Sequence, residues 1–237
     1  QGLADSAPAF CGRPEFFCLS GGYALLWFWG QKSLKEQDAV LDAYRREIRY
    51  LRLSVTDRCN YRCAYCMPPE GMNWLEPSAI LTDEEILRLL SVLGREGVSK
   101  VRLTGGEPLV RPGFVDLVRK IRSLDLIEDL SLTTNGSLLA RYAEALKSAG
   151  LNRVNISLDT IDPERFRKLT CGGDVRDVLT GIETAIRVGL SPVKINVVLT
   201  AAVDEADLAF FQKLVREQPV AVRVIEYMPS RRGRVEA

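Results

Sequence analysis

The chain has 237 residues, 46% of them hydrophobic and 27% charged, with a formal net charge of +1. That length holds one large domain, at roughly 100–200 residues per domain, or a single α/β barrel, and the near-neutral charge excludes an extended basic surface for nucleic acid or anionic lipid. The absence of histidine excludes Ser–His and Cys–His nucleophile pairs and any His-ligated metal centre within the chain.

Residues 1–40 carry no sustained periodicity and are expected to form an atypical, poorly ordered extension. Their apolar stretch at 21–30, GGYALLWFWG, is far short of the ~20 residues that span a bilayer and lacks the flanks of a signal peptide. From residue 48 a regular rhythm begins. A strand is predicted at 48–55, then a long cysteine-bearing loop, then a helix at 83–95 opened by a Thr82/Glu85 capping box. Next come a strand at 100–103, a helix at 113–124 with Pro112 in its first turn, a strand at 129–133 and a helix at 138–149. A strand at 153–158 precedes a short helix at 163–169, begun by Pro163, and a longer one at 175–188. The last elements are a strand at 193–199, a helix at 204–217 and a strand at 221–227. Gly97, Gly150 and Gly189 fall just past helix ends.

Strands alternating with helices imply parallel pairing through right-handed crossovers. No GxGxxG opens the first helix, so the expected fold is α/β, a partial (β/α)6 TIM-like barrel, rather than an open dinucleotide-binding sheet. Function in such a fold sits at the carboxyl ends of the strands. Polar residues gather there in every unit: Thr56-Asp57-Arg58-Cys59, Thr104-Gly105-Gly106-Glu107, Thr133-Thr134-Asn135, Ser157-Leu158-Asp159, Lys194 with Asn196, and Glu226-Tyr227-Met228.

The six cysteines are at 11, 18, 59, 63, 66 and 171, and three of them fall within eight residues. A disulfide scaffold would spread its bridges along a shorter chain, so a reducing compartment is expected. Cys59, Cys63 and Cys66 offer three thiolates from one loop. A four-iron cluster normally takes four cysteines, so three leave one iron open to a small ligand. A zinc site is the alternative, but it wants four N/S ligands, and only Cys171 is a nearby candidate for the fourth. The Gly105-Gly106 turn lets backbone groups approach a ligand closely.

The Cys-x3-Cys-x2-Cys spacing with Tyr65 before the last cysteine, followed by Gly105-Gly106-Glu107-Pro108, resembles the radical S-adenosylmethionine (SAM) superfamily. The resemblance implies a 4Fe–4S cluster on Cys59, Cys63 and Cys66, with SAM on the open iron. It is closer still to the GTP 3′,8-cyclase family of molybdenum-cofactor biosynthesis. It runs through LRLSVTDRCNYRCAYCMP at 51–68, VRLTGGEPL at 101–109, LTTNG at 132–136, NISLD at 155–159 and IEYMP at 225–229. The implied SAM contacts are Tyr65, Gly106, Ser157 and Met228, and the implied GTP contacts are Arg52, Arg102, Thr133 and Lys194. The implied reaction is radical cyclisation of GTP through its ribose 3′ position and purine carbon 8, which requires a low-potential electron donor. The resemblance also implies a homodimer; the cytoplasm is the expected location, or the mitochondrial matrix of a eukaryote, and the charge and hydropathy suggest no nucleic-acid or membrane partner.

Three cations inside a near-neutral barrel suit a triphosphate, and the alternative is that they pair with carboxylates such as Glu107 and Glu226. The family pattern extends past the sixth strand to a second 4Fe–4S cluster, whose cysteines are missing here. The core is therefore expected at 41–229, and 230–237 as the start of a further region, with the chain a fragment of a longer cyclase or, alternatively, a shortened relative of it. Tyr44-Arg45-Arg46 departs from the family's usual Phe-Gly-Arg. Competing functions are a radical SAM enzyme acting on a peptide or another small molecule, and a non-catalytic iron–sulfur module.

Overall fold

The structure is a computed structural model that describes residues 40–67 and 72–228. The expected extension at 1–40 lies outside the described residues except for Val40, as do Pro229 and the 230–237 stretch.

Among the described residues six strands and six helices succeed one another, with one helix between neighbouring strands except for two between the fourth and fifth. The strands are β1 (Tyr50–Ser54), β2 (Lys100–Thr104), β3 (Asp129–Thr134), β4 (Arg153–Ser157), β5 (Val193–Leu199) and β6 (Val220–Glu226). The helices are α1 (Asp83–Arg95), α2 (Phe114–Arg122), α3 (Leu139–Ser148), α4 (Pro163–Thr170), α5 (Val175–Arg187) and α6 (Glu205–Glu217). The strands form one parallel sheet in the order β1-β2-β3-β4-β5-β6. β1 and β6 are its two edges, as expected of a barrel that is partial rather than closed.

Local chemistry sets the helix starts. Thr82 and Glu85 make both halves of the capping box on α1, and Asp204 with Asp207 does the same for α6. Asp162 caps α4 with Pro163 in its first turn. The expectation for α2 is corrected. Pro112 lies before the helix, because Gly113 takes the cap position in a left-handed conformation (φ 72°) and the helix begins at Phe114. β1 is shorter than its apolar run. The Arg49 carbonyl accepts from both the Ser99 and Lys100 amides, so the ladder to β2 begins one residue later.

Period-2 alternation divides the sheet into two chemically distinct faces. Leu53, Val101, Leu103, Leu130, Leu132, Val154, Ile156, Ile195 and Val197 are buried in one core with Ile86, Leu117, Ile121, Leu139, Leu146, Ile182 and Phe211 of the helices. Each such side chain contributes about 1.5–3 kcal/mol on burial. The opposite face lines the lumen and is polar. Arg52, Arg102, Ser131 and Arg153 stand in register across β1 to β4. Thr133, Asn155 and Lys194 form a second row, and Ser157, Asn196 and Arg223 a third. Among the described residues no helix is long and apolar enough to cross a membrane.

Candidate functional site

The cysteine loop after β1 is held by the loops after β2, β3 and β4 and by the end of α4. Gly106 N–H donates to Thr56 O at 2.9 Å and Glu107 N–H to Arg58 O at 2.7 Å, which fastens the loop to the end of β2. Here the reason for the two glycines is refined. A Cβ at Gly105 or Gly106 would overlap backbone atoms of Thr56, Asp57 or Arg58, so the close approach is to the cysteine loop itself. Arg62 and Ala64 N–H groups donate to Thr170 O and Leu169 O at the end of α4. The Tyr65 hydroxyl donates to Asp159 Oδ2 at 2.7 Å, while Asp159 Oδ1 accepts from Val198 N–H at 2.8 Å. A side-chain amide network at Asn60, Asn135 and Ser137 joins the loop to the end of β3.

Cys59, Cys63 and Cys66 are free thiols, the first two half-buried and the third exposed. Burial, followed by the neighbouring sulfurs and Asp159, pushes Cys63 up to about 12. Burial also raises Cys59 and Cys66. No cation contributes to any of these shifts, so the loop groups thiols without a charge to hold them as thiolates. A bound metal centre supplies that charge. Among the described residues no three Cys, Asp or Glu side chains converge where a single ion could sit. A zinc ion needs its sulfurs gathered at about 2.3 Å, whereas a four-iron body takes one thiolate per iron around its outside. The donor set therefore fits a cluster better than zinc. Cys171, exposed in a left-handed turn at the end of α4, contributes electrostatically to Cys63 but completes no mononuclear site.

The lumen below this loop is cationic. Burial lowers Arg102, and repulsion from Arg153, Arg223 and Arg52 adds to it, partly offset by Tyr50. Lys194 is lowered by burial, then by Arg223, Arg153 and Arg102. Arg153 pairs with Asp129 at 2.5 Å. Among the described residues no carboxylate lies within ion-pair distance of Arg52, Arg102, Lys194 or Arg223. The carboxylates named as alternative partners do not serve. Glu107 is buried and accepts instead from Leu109 N–H, the Thr134 hydroxyl and Asn135 N–H. Arg102 Nε, Arg153 Nη1 and Asn155 Oδ1 are buried without a hydrogen-bond partner. A buried polar group left unpaired costs about 1–3 kcal/mol; the two guanidinium N–H groups suit an anionic partner, whereas Asn155 Oδ1, whose amide nitrogen donates to Leu132 O, calls for a donor.

The sequence profile of the Radical SAM superfamily matches residues 53–214. The chain belongs to that superfamily. Its members work with a 4Fe–4S cluster and SAM, which agrees with the donor set of the cysteine loop. This radical SAM chain is 50% identical over 194 residues to the GTP 3′,8-cyclase of Heliobacterium modesticaldum, covering 82% of the chain and 59% of that relative. It is also 50% identical over 188 residues to the GTP 3′,8-cyclase of Alkaliphilus oremlandii, at 79% and 59% coverage. The chain thus spans about three fifths of the length of these curated relatives. Among solved structures, Streptococcus suis SuiB superposes with a TM-score of 0.66 at 19% identity, covering 79% of this chain and 42% of that one. The hydrogenase maturase HydG of Carboxydothermus hydrogenoformans superposes at 0.60 and 18% identity, covering 79% and 46%. These likenesses establish the radical SAM barrel fold.

Of the expected SAM contacts, the radical SAM barrel places Tyr65 against the end of β4, where Ser157 faces the lumen. Gly106 is exposed, but its N–H is already engaged by Thr56, which leaves its carbonyl. Met228 stands two residues past β6 and is 78% exposed. The expected GTP contacts Arg52, Arg102, Thr133 and Lys194 all face the lumen. Sequence reasoning missed Arg153 and Arg223. Period-2 counting on β4 and β6 would have found both, since Arg153 shares a face with Ser157 and Arg223 lies between Val222 and Val224.

Proposed function

We propose that this chain carries the radical SAM core of a GTP 3′,8-cyclase, the enzyme that opens molybdenum-cofactor biosynthesis. The observation that carries the reading is the cationic lumen beneath the cysteine loop, where Arg52, Arg102, Lys194 and Arg223 have no carboxylate within ion-pair distance among the described residues. The relatives at about half identity support it independently.

In this reading Cys59, Cys63 and Cys66 hold three irons of the cluster, and Tyr65, Gly106, Ser157 and Met228 contact SAM. When bound, the cluster and SAM supply one-electron cleavage and abstraction of a hydrogen atom from the GTP ribose. The chain's own residues bind and orient the nucleotide. Arg52, Arg102 and Lys194 neutralise the triphosphate, with Arg223 adding charge behind them while Arg153 stays paired with Asp129. Thr133, in register with Asn155, offers a hydroxyl to the same ligand. No general base is required for the hydrogen abstraction, in keeping with a chain that has no histidine. In this reading a second cluster would lie in the part of the relatives' length that this chain does not span. A low-potential electron donor, a homodimer and the cytoplasm complete the proposal.

The test is release of 5′-deoxyadenosine from anaerobically reconstituted protein given reductant and SAM, with and without GTP. Release stimulated by GTP is the expected result. Release indifferent to GTP overturns the nucleotide reading and favours a peptide or another small molecule. Cys63→Ser is expected to lose iron binding and SAM cleavage together, read by iron analysis beside the same assay.

A further inference from the structure

One amide outside the expected ligand and substrate sets points at a ligand sulfur. Asn135, the residue after β3, has its side-chain nitrogen 3.9 Å from Cys59 Sγ and 2.9 Å from Asn60 Oδ1. Its orientation is fixed from the other end. Asn135 Oδ1 accepts from the Ser137 backbone N–H at 3.0 Å and from the Ser137 hydroxyl at 2.7 Å. A backbone N–H cannot reverse its role, so it decides which end of the amide is oxygen and leaves both side-chain N–H bonds for Asn60 and Cys59. Asn60 in turn donates to Ser137 Oγ at 2.9 Å, which closes a ring of three side chains beside the cysteine. The Asn135 backbone is pinned as well, through its N–H to Glu107 Oε2 at 2.6 Å. Cys59 Sγ has a local donor besides, the Tyr61 N–H at 3.4 Å.

Reduction of an iron–sulfur cluster by a one-electron donor adds negative charge that spreads onto its cysteine sulfurs. A donor hydrogen bond at such a sulfur stabilises the reduced state more than the oxidised one. We propose that Asn135 tunes the cluster by donating an N–H···S bond to Cys59, with Ser137 and Asn60 as its positioning residues, so that the reduction potential is raised. The inference rests on the reading of Cys59 as a cluster ligand.

Mediated redox titration followed by electron paramagnetic resonance tests it, using dithionite as reductant on reconstituted wild type, Asn135→Ala, Asn135→Asp and Ser137→Ala. Asn135→Ala is expected to titrate at a more negative potential. At the wild-type midpoint its reduced-to-oxidised ratio should fall about fivefold to tenfold, a tenfold fall being about 59 mV for one electron. Asn135→Asp should shift at least as far, and Ser137→Ala less far in the same direction. In reduced wild type, electron–nuclear double resonance in H2O against D2O should find an exchangeable proton beyond that of the Tyr61 amide, absent in Asn135→Ala. An unchanged midpoint in Asn135→Ala at wild-type iron content overturns the proposal. Should neither Asn135 variant take up iron, absence of that second proton in wild type overturns it equally. Wild type that binds no iron instead overturns the cluster assignment beneath it.

Discussion

Arg102 weakens the fold where it stands, and the proposed reading gives it to the triphosphate. Its guanidinium lies 5.3 Å from the Tyr50 ring, is repelled by three other arginines and leaves Nε buried without a partner. Arg102→Met keeps the stem and removes the charge, so the melting temperature should hold or rise while GTP affinity falls tenfold or more. The affinity estimate follows from about 1.5–3 kcal/mol for a charge-assisted hydrogen bond, against about 1.4 kcal/mol per tenfold. Thermal melting and calorimetric titration with GTP check the pair; a lower melting temperature with unchanged affinity would mean a structural arginine. Arg45 is the opposite case, a residue strained with no ligand in view. It sits at φ 61° in the turn closed by Asp42, which accepts from Tyr44 N–H and from Arg46. That conformation costs a side-chain-bearing residue about 1–2 kcal/mol. Arg45→Gly, which restores the residue usual in the cyclase family at this point, should stabilise the chain by about 1 kcal/mol net of glycine's added freedom when unfolded. Urea denaturation at constant slope reads this directly.

Elements are joined here by contacts of two kinds, and only one kind was legible in the sequence. Caps and strand faces are local. Thr82 with Glu85, Asp162 with Pro163, and the alternation of Val101 and Leu103 with Arg102 each report themselves within a few residues. The links that assemble the site are long-range and carry no spacing signal. Tyr65 reaches Asp159 over 94 positions and Asn135 reaches Cys59 over 76. A similar long-range tie joins α1 to α2, where Asp83 takes Arg111 at 2.9 Å and Lys120 at 3.1 Å. Burial alone would raise the Asp83 carboxyl, but hydrogen bonds from Lys120 and Arg111 outweigh it and hold it below its ordinary 3.8. A depressed carboxylate contributes stability above its unfolded value and loses it as the pH falls through the folded one. Asp83→Asn should therefore cost about 1–2 kcal/mol at neutral pH and almost nothing in strong acid. Denaturation curves of both proteins at the two pH values should converge on acidification; a constant gap would exclude the charge as the cause.

At the scale of the whole molecule the sheet is a curved wall with an apolar outer face, a cationic inner face and two unpaired edges. The outer face was readable because hydrophobic alternation is a period in one strand, whereas the ring of cations is a property of register among six. Arg52 and Arg223 come from the two edge strands, and Arg102, Arg153 and Lys194 from the strands between. The ring's members repel one another, and within the protein only Asp129, paired with Arg153, and Tyr50 beside Arg102 are seen to offset that repulsion. A polyphosphate that neutralises them should therefore act on the edges first. β6 is the weaker edge, with Val224 56% and Ile225 38% exposed, while the interior of β3 is fully buried at Leu130 and Leu132. Local stability follows burial and backbone pairing, so without nucleotide the amides of β6 should exchange with deuterium well before those of β3. Added GTP should slow exchange in β1 and β6 together, although they lie at opposite ends of the described chain, and should change β3 little because it is already protected. Hydrogen-exchange mass spectrometry of the reconstituted protein, with SAM present throughout, reads all three segments in one experiment. Protection gained at one edge alone would mean that the cations act as separate sites, and the ring would then not be the seat of a single triphosphate.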